Sequence, residues 1–275
     1  MKKSILITGC SSGIGYDSAH YLHKNGYNVF ATARDKEDVK RLRDEGLNAY
    51  ELDVCDTDSI QKAIEWVLSQ TDSKLYALFN NAGYGQPGAL EDLSSDALRA
   101  QFETNVIGMH EMTRRIIPLM RAQGYGRIIQ HSSVLGLISL RFRGAYNASK
   151  YAIEGLCDTL RLELHDTDIH VITLNTGPVR SNFRDNAIKM FYRYIDTKNS
   201  RFKQEYEKEV LMRDETKNTK DPFTKNSDVV IDKLILALEK ENPSPRYHIT
   251  AATHILGNLK RILPTSWLDK ILLKI

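Results

Sequence analysis

Tyr146 and Lys150 stand four residues apart in the run Gly144-Ala145-Tyr146-Asn147-Ala148-Ser149-Lys150. That spacing is close to one helical turn, so a helix here sets both side chains on one face. A free phenol titrates near ~10, too high to exchange protons readily at neutral pH, and an ammonium one turn away favours its ionised form. On its own the spacing is better explained by a solvated lysine beside a packed tyrosine, which ordinary helices often produce. Two further features shift that balance. Ser133 ends an apolar run thirteen residues before Tyr146, with Ser132 as the neighbouring alternative hydroxyl, and a glycine-rich turn opens the chain.

The turn reads Thr8-Gly9-Cys10-Ser11-Ser12-Gly13-Ile14-Gly15, with an apolar run before it and a helix-periodic stretch after it. Glycines there permit a sharp turn and close backbone approach to a pyrophosphate, and the helix that follows turns its amides and positive dipole end toward the anion. Gly9, Ser11, Ser12, Gly13, Ile14 and Gly15 are therefore candidate dinucleotide ligands. About 20 residues further on, at the end of the second strand, an NAD enzyme presents a carboxylate to the ribose hydroxyls. This chain reads Ala31-Thr32-Ala33-Arg34-Asp35. The Arg34 guanidinium suits a dianionic 2′-phosphate and points to NADP(H). Asp35 keeps NAD(H) open, or pairs with Arg34. In Leu52-Asp53-Val54, Asp53 suits the adenine amino group with Val54 against the ring, though a helix-capping role fits Asp53 equally well. In Asn80-Asn81-Ala82-Gly83, the small Ala82 and Gly83 admit a ribose, and Asn81 either bonds it or braces strand ends.

These residues need a scaffold that brings them to one edge. Short apolar runs at 5–8, 28–33, 49–52, 75–80, 127–131, 170–175 and 246–250 alternate with helix-periodic stretches such as Ile60, Ala63, Ile64 and Val67, the latter with Thr57 as its expected N-cap. Buried strands separated by helices are βαβ units, and right-handed crossovers give an α/β, doubly wound parallel sheet, a Rossmann fold. No linker interrupts the series, so 1–275 reads as a single domain. Residues 181–225 break the rhythm with Phe183, Phe191, Tyr192, Tyr194, Phe202 and Tyr206, then the polar run 213–220. A helical substrate lid is expected there, with a satellite pair of helices nearly as apt. The tail 254–275 carries an amphipathic apolar stripe broken at Pro264 and flanked by Lys260, Arg261, Lys270 and Lys274. Packing on the domain or a partner subunit is the usual fate of such a stripe; peripheral membrane contact is the alternative.

Composition narrows the classes. With 38 basic and 35 acidic residues the net charge is +3, which gives no reason to expect a nucleic-acid partner. Cys10, Cys55 and Cys157 lie far apart and read as reduced, packed thiols of a cytoplasmic protein. The eight histidines show no ligand spacing, so no metal site is expected. No run approaches the ~18 apolar residues of a membrane span.

Taken in order, TGCSSGIG at 8–15, DV at 53–54, NNAG at 80–83, Asn105, Ser133 and YNASK at 146–150 resemble the landmarks of the short-chain dehydrogenase/reductase family over nearly the whole chain. Arg34, the glycine turn and the basic-apolar tail are similar to NADP-dependent aldehyde/retinaldehyde reductases and 17-beta-hydroxysteroid dehydrogenase-like members. The resemblance implies that Tyr146 is the general acid/base and that Lys150 also holds the nicotinamide ribose. It implies that Ser133 donates to the substrate oxygen and that Asn105 holds a water linking Lys150 to solvent. The implied activity is hydride transfer between NADP(H) and a hydrophobic aldehyde or ketone, with an apolar pocket wall at 84–88 and 134–143. An NAD-dependent hydroxysteroid or retinol dehydrogenase is the nearest alternative. A non-catalytic NADP(H) sensor is the alternative of another class. The resemblance further implies a homodimer or homotetramer through the helices around 98–120 and 146–164. One departure stands out: Asn175-Thr176-Gly177-Pro178-Val179-Arg180-Ser181 has threonine where the family usually has proline. Val179 and Ser181 remain able to hold a carboxamide.

Overall fold

Seven of the apolar runs form parallel strands in the computed structural model of the chain, which describes residues 2–211 and 224–275. They are β1 (Ser4–Ile7), β2 (Asn28–Ala33), β3 (Asn48–Glu51), β4 (Ala77–Asn80), β5 (Gly126–Ser133), β6 (Ile169–Thr176) and β7 (Arg246–Ile249). Their order across the sheet is β3-β2-β1-β4-β5-β6-β7, and every pairing is parallel. The chain therefore winds outward from β1 in one direction and from β4 in the other. The crevice beyond the carboxyl ends of β1 and β4 is where such a sheet takes its ligand.

Both faces of the sheet are covered, as buried strand side chains on both sides demand. On one face Ile5 and Ile7 meet α1 (Gly13–Lys24), α2 (Lys36–Asp44) and α9 (Asp228–Glu239). On the other, Leu6 and Phe30 meet α3 (Thr57–Ser69), α5 (Met109–Gln123) and α6 (Gly144–Glu163). Ahead of α5 run α4 (Ser95–Phe102) and a wide π-helical turn, Glu103–Gly108. The N-cap of α3 is Asp56 rather than Thr57. Its carboxylate accepts the amides of Asp58 at 2.8 Å and Ser59 at 3.2 Å, which moves Thr57 into the first helical position.

The region after β6 holds α7 (Phe183–Tyr194) and a short α8 (Lys203–Glu205) that widens into a π-turn at Tyr206–Leu211. Its aromatics face one another more than they face a pocket. Phe191 and Tyr206 are fully buried with Phe142, Ala89 and Ile195, and the Phe142, Phe191 and Tyr206 rings meet edge to face. Phe142, expected in the pocket wall, belongs to this satellite core. The polar run 213–220 lies outside the described residues. After β7 the tail forms α10 (Ala251–Ile262) and α11 (Thr265–Leu272), divided at Pro264. Cys10 and Cys157 are buried, whereas Cys55 is exposed and not the packed thiol expected. It sits in the turn between β3 and α3, where its Sγ reaches the Thr104 hydroxyl at 3.2 Å.

Candidate active site

The glycine turn is shaped by what its residues lack. Gly9 and Gly13 have φ of +73° and +60°, a left-handed backbone that side chains disfavour. A Cβ on Gly9 would lie 2.8 Å from the Ala82 Cα, and one on Gly13 would lie 2.9 Å from the Ser181 Cβ. Gly15 leaves space for the Gly9 carbonyl and the Asn81 amide. The turn, the Asn81-Ala82 segment and Ser181 therefore converge on the amino end of α1. Ser12 caps that helix without a side-chain hydrogen bond, and its first turn carries no acid. Free amides, a positive helix end and missing side chains form a cradle fit for a pyrophosphate. Asn81 takes the bracing role: its amide donates to the carbonyls of Thr8 and Gly9, each at 3.0 Å.

Arg34 and Asp35 lie at the start of α2. Asp35 is the N-cap of that helix and accepts the Glu37 amide at 2.9 Å, so its carboxylate already has a structural task. Arg34 lines a cavity of about 730 Å³ beside β2 and β3, together with Lys36, Lys40, Arg43, Asp53 and Lys62. Arg41, which sequence reasoning missed, donates to the Ser11 carbonyl at 2.5 Å and so joins α2 to the glycine turn. Asp53 accepts the Cys55 amide at 2.9 Å, and Val54 is buried beside it.

At the carboxyl end of β5, Tyr146 and Lys150 are both buried, and the Ser133 side chain lies near enough to the Tyr146 phenol to act on its titration. Ser132, the alternative hydroxyl, instead donates to Glu154, which leaves Ser133 as the candidate serine of the site. The Lys150 ammonium lies 5.5 Å from the Tyr146 ring centre and donates to the His131 carbonyl at 2.6 Å. Burial pushes the Tyr146 phenol up to about 12, and the nearby Ser133 hydroxyl opposes the rise. Desolvation is thus the dominant influence on the phenol of the chain by itself. Burial also pulls Lys150 down to about 8, with the Glu154 carboxylate working to keep it charged. Asn105 sits in the π-turn, a widening common at functional sites. Its amide donates to the Tyr84 carbonyl and the Ser149 hydroxyl, and its oxygen accepts the Tyr84 amide.

Two groups behind the site, the half-buried His131 and the buried Glu154, were not legible from spacing. Because the Asn81 amide nitrogen is committed to two carbonyls, its oxygen must accept, at 2.9 Å, from Nδ1–H of His131. The His131 Nε2 then accepts from the Thr176 hydroxyl at 3.0 Å. Burial pushes His131 down to about 3, so it stays neutral and ties β4, β5 and β6 together. Thr176, in the family's proline position, is the hydroxyl that completes this tie. Glu154, one turn beyond Lys150, accepts from Ser132, from Asn175 at 2.7 Å and from Arg246 at 2.7 Å. It fastens α6 to the ends of β5, β6 and β7. A buried acid with three donors has no mark in the sequence, because its partners come from three separate strands.

Around Tyr146 the surface is apolar. Val134, Leu135 and Ile138 form its near wall, with Leu140, Leu256 and Leu272 against them and the Phe183 ring 5.3 Å from the tyrosine ring. Val179 pairs with Lys225, and Ser181, whose hydroxyl accepts the Phe183 amide at 3.3 Å, lies beside Gly13 of the glycine turn. Among the described residues no group of three His, Cys, Asp or Glu side chains could hold a metal ion.

Fold and site together define an oxidoreductase that uses a nicotinamide dinucleotide. Residues 3–190 match the profile of the short chain dehydrogenases, and the chain belongs to that family. It is 40% identical over 272 residues to YbbO of Escherichia coli (strain K12), an uncharacterized oxidoreductase, covering 99% of this chain and 94% of that one. It is 36% identical over 196 residues to human 17-beta-hydroxysteroid dehydrogenase type 1, covering 67% of this chain and 59% of the relative. A short chain dehydrogenase/reductase of Burkholderia phymatum solved with NAD superimposes with a TM-score of 0.78 at 25% identity, covering 94% and 92% of the two chains. ElxO with NADP bound shares the fold, with a TM-score of 0.74 at 23% identity over 90% and 97%.

Proposed function

We propose that this oxidoreductase is a cytoplasmic NADPH-dependent carbonyl reductase acting on hydrophobic aldehydes or ketones, of the long-chain aldehyde, retinoid or steroid type. The observation that carries the reading is the buried Ser133–Tyr146–Lys150 group set against an apolar wall. The glycine cradle and Asn81-Ala82-Gly83 would hold the dinucleotide, with Arg34 at the 2′-phosphate, Asp53 and Val54 at the adenine, and Val179 and Ser181 at the carboxamide. When bound, the cofactor supplies or removes a hydride. The chain's own residues manage the proton and the developing charge. Ser133 donates a hydrogen bond to the carbonyl oxygen as it gains negative charge. Tyr146, held protonated by burial at neutral pH, gives that oxygen its proton. Lys150, charged below pH about 8, holds the ribose hydroxyls and favours the phenolate left behind. In this reading Asn105 holds a water through which Lys150 meets solvent.

The enzyme would assemble as a homodimer or homotetramer through the outer faces of α5 and α6, a region where Ile107, Leu156 and Leu162 are exposed. NADPH consumption with a panel of apolar carbonyls tests the reaction. Wild-type turnover with loss of about 10³ in Tyr146→Phe is expected; equal turnover in the two would remove Tyr146 as the acid. An NAD-dependent dehydrogenase becomes the better reading if NADH supports equal turnover.

A further inference from the structure

Most of the exposed large apolar side chains among the described residues fall in two regions of different charge. Along α4–α6, Leu98, Ile107, Leu156 and Leu162 stand among both signs, including Asp96, Arg99, Glu111, Arg114, Asp158 and Arg161. That mixture suits a protein surface with alternating complementary charges. The tail differs. Ile255, Leu259 and Ile262 share one stripe of α10, and Ile255 and Ile262 are 56% and 76% exposed. On α11, Trp267 and Ile271 lie one turn apart, the first 63% exposed, with Lys270 and Lys274 beside them.

The charge of 251–275 has one dominant sign. Lys260, Arg261, Lys270 and Lys274 stand against Asp269 alone, a balance of three positive charges equal to the net charge of the whole chain. The other 250 residues are therefore neutral as a set. No described helix is long and apolar enough to cross a membrane. We propose that α10 and α11 dock this protein on the surface of an anionic phospholipid bilayer, with Trp267, Ile271, Ile255 and Ile262 entering the headgroup boundary and the flanking cations meeting lipid phosphates.

The inward faces of the same two helices bear on the site. Leu256 and Leu272 pack against the Val134, Leu135, Ile138 and Tyr146 cluster, and Gly257 leaves space for Leu137. Docking would thus set the Tyr146 pocket beside the bilayer, where apolar carbonyls concentrate. That consequence rests on the reductase reading above; the docking itself does not.

Flotation of the full chain with lipid vesicles tests it. The wild type is expected to float with vesicles containing phosphatidylglycerol, to stay in solution with pure phosphatidylcholine, and to be released at 1 M salt, where the screening length falls to about 3 Å. The chain has two tryptophans. Trp66 stacks on Tyr50 with ring centres 4.9 Å apart. In a Trp66→Phe variant, Trp267 emission should shift to the blue on adding anionic vesicles. Lys270→Glu with Lys274→Glu alters exposed side chains only and should weaken partitioning at least about tenfold. Trp267→Ser with Ile271→Ser should do the same with the thermal midpoint unchanged. Tyr146→Phe should float like the wild type, which separates docking from catalysis. Absence of flotation with anionic vesicles overturns the proposal. So does conversion of a dimer to monomers by the Trp267/Ile271 variant, which would make a second copy the occupant of this face.

Discussion

The two halves of the carboxyl edge of the sheet work by opposite means. Beyond β1 and β4 the glycine cradle depends on missing atoms: Gly9, Gly13 and Gly15 admit atoms of neighbouring segments, and the Ser12 side chain leaves the α1 amides uncapped. Beyond β5 and β6 the site depends on polar atoms in dry surroundings: Tyr146, Lys150 and Glu154 are buried and His131 half-buried, and all but Glu154 have displaced titrations. Burying such groups opposes folding unless each finds a partner, as Lys150, His131 and Glu154 do here. The lesson is that the first half is broken by adding atoms and the second by removing them.

Removal on the catalytic side should have the largest effect. Ser133→Ala is expected to lower kcat about 10²–10³-fold with NADPH affinity and thermal midpoint unchanged, as loss of one donor to a developing oxyanion does. Steady-state kinetics beside fluorescence binding checks it, and a fall in affinity equal to the fall in kcat would make Ser133 part of the cradle instead. Arg34→Ala comes next. It should weaken NADPH binding about 10–100-fold through loss of charge-assisted hydrogen bonds and leave NADH binding unchanged. Unaltered NADPH affinity would remove Arg34 from the 2′ site.

Addition on the cofactor side sharpens the contrast from the other direction. Gly13→Ala puts a Cβ 2.9 Å from the Ser181 Cβ at a φ of +60°. About tenfold weaker dinucleotide binding is expected from left-handed strain alone, with kcat at saturating cofactor retained. Titration calorimetry reads the first and saturation kinetics the second.

The smallest effect concerns stability. Lys150 titrates near 8 in the folded protein against 10.5 for a free lysine, so burial disfavours its charge. Below pH 8 the charged form is held in both states and the cost of burial is constant. Between about 8 and 10.5 the unfolded chain binds more protons, and stability from this group rises with pH. Lys150→Met should therefore abolish turnover while raising the thermal midpoint at pH 7 by on the order of 3 °C. That gain should shrink as pH rises from 8 toward 10.5. A lower midpoint at pH 7 would mean that the hydrogen bond to the His131 carbonyl outweighs desolvation.

Much of this was written locally. Short apolar runs separated by 3.6-periodic stretches gave all seven strands to within two residues, because parallel strands buried on both faces must be continuously apolar. The glycine turn, the Tyr146-Lys150 spacing and Ser133 were legible for the same reason: each asks one short segment for a particular backbone or face. The aromatics at 183–206 were not. Their number suggested a pocket lining, yet Phe191 and Tyr206 satisfy themselves against Phe142, a partner more than forty residues away.

Sequence by itself determined the doubly wound sheet, the dinucleotide turn and the tyrosine–lysine pair. Tertiary structure alone decided that Ser132 turns to Glu154 and that Asp35 caps α2. It also decided that a neutral His131 ties Asn81 to Thr176, and that Glu154 sits dry behind the lysine. The reason is physical. Backbone propensity and side-chain periodicity act within a few residues, whereas burial and hydrogen-bond partnership are set by strands brought together from distant parts of the chain.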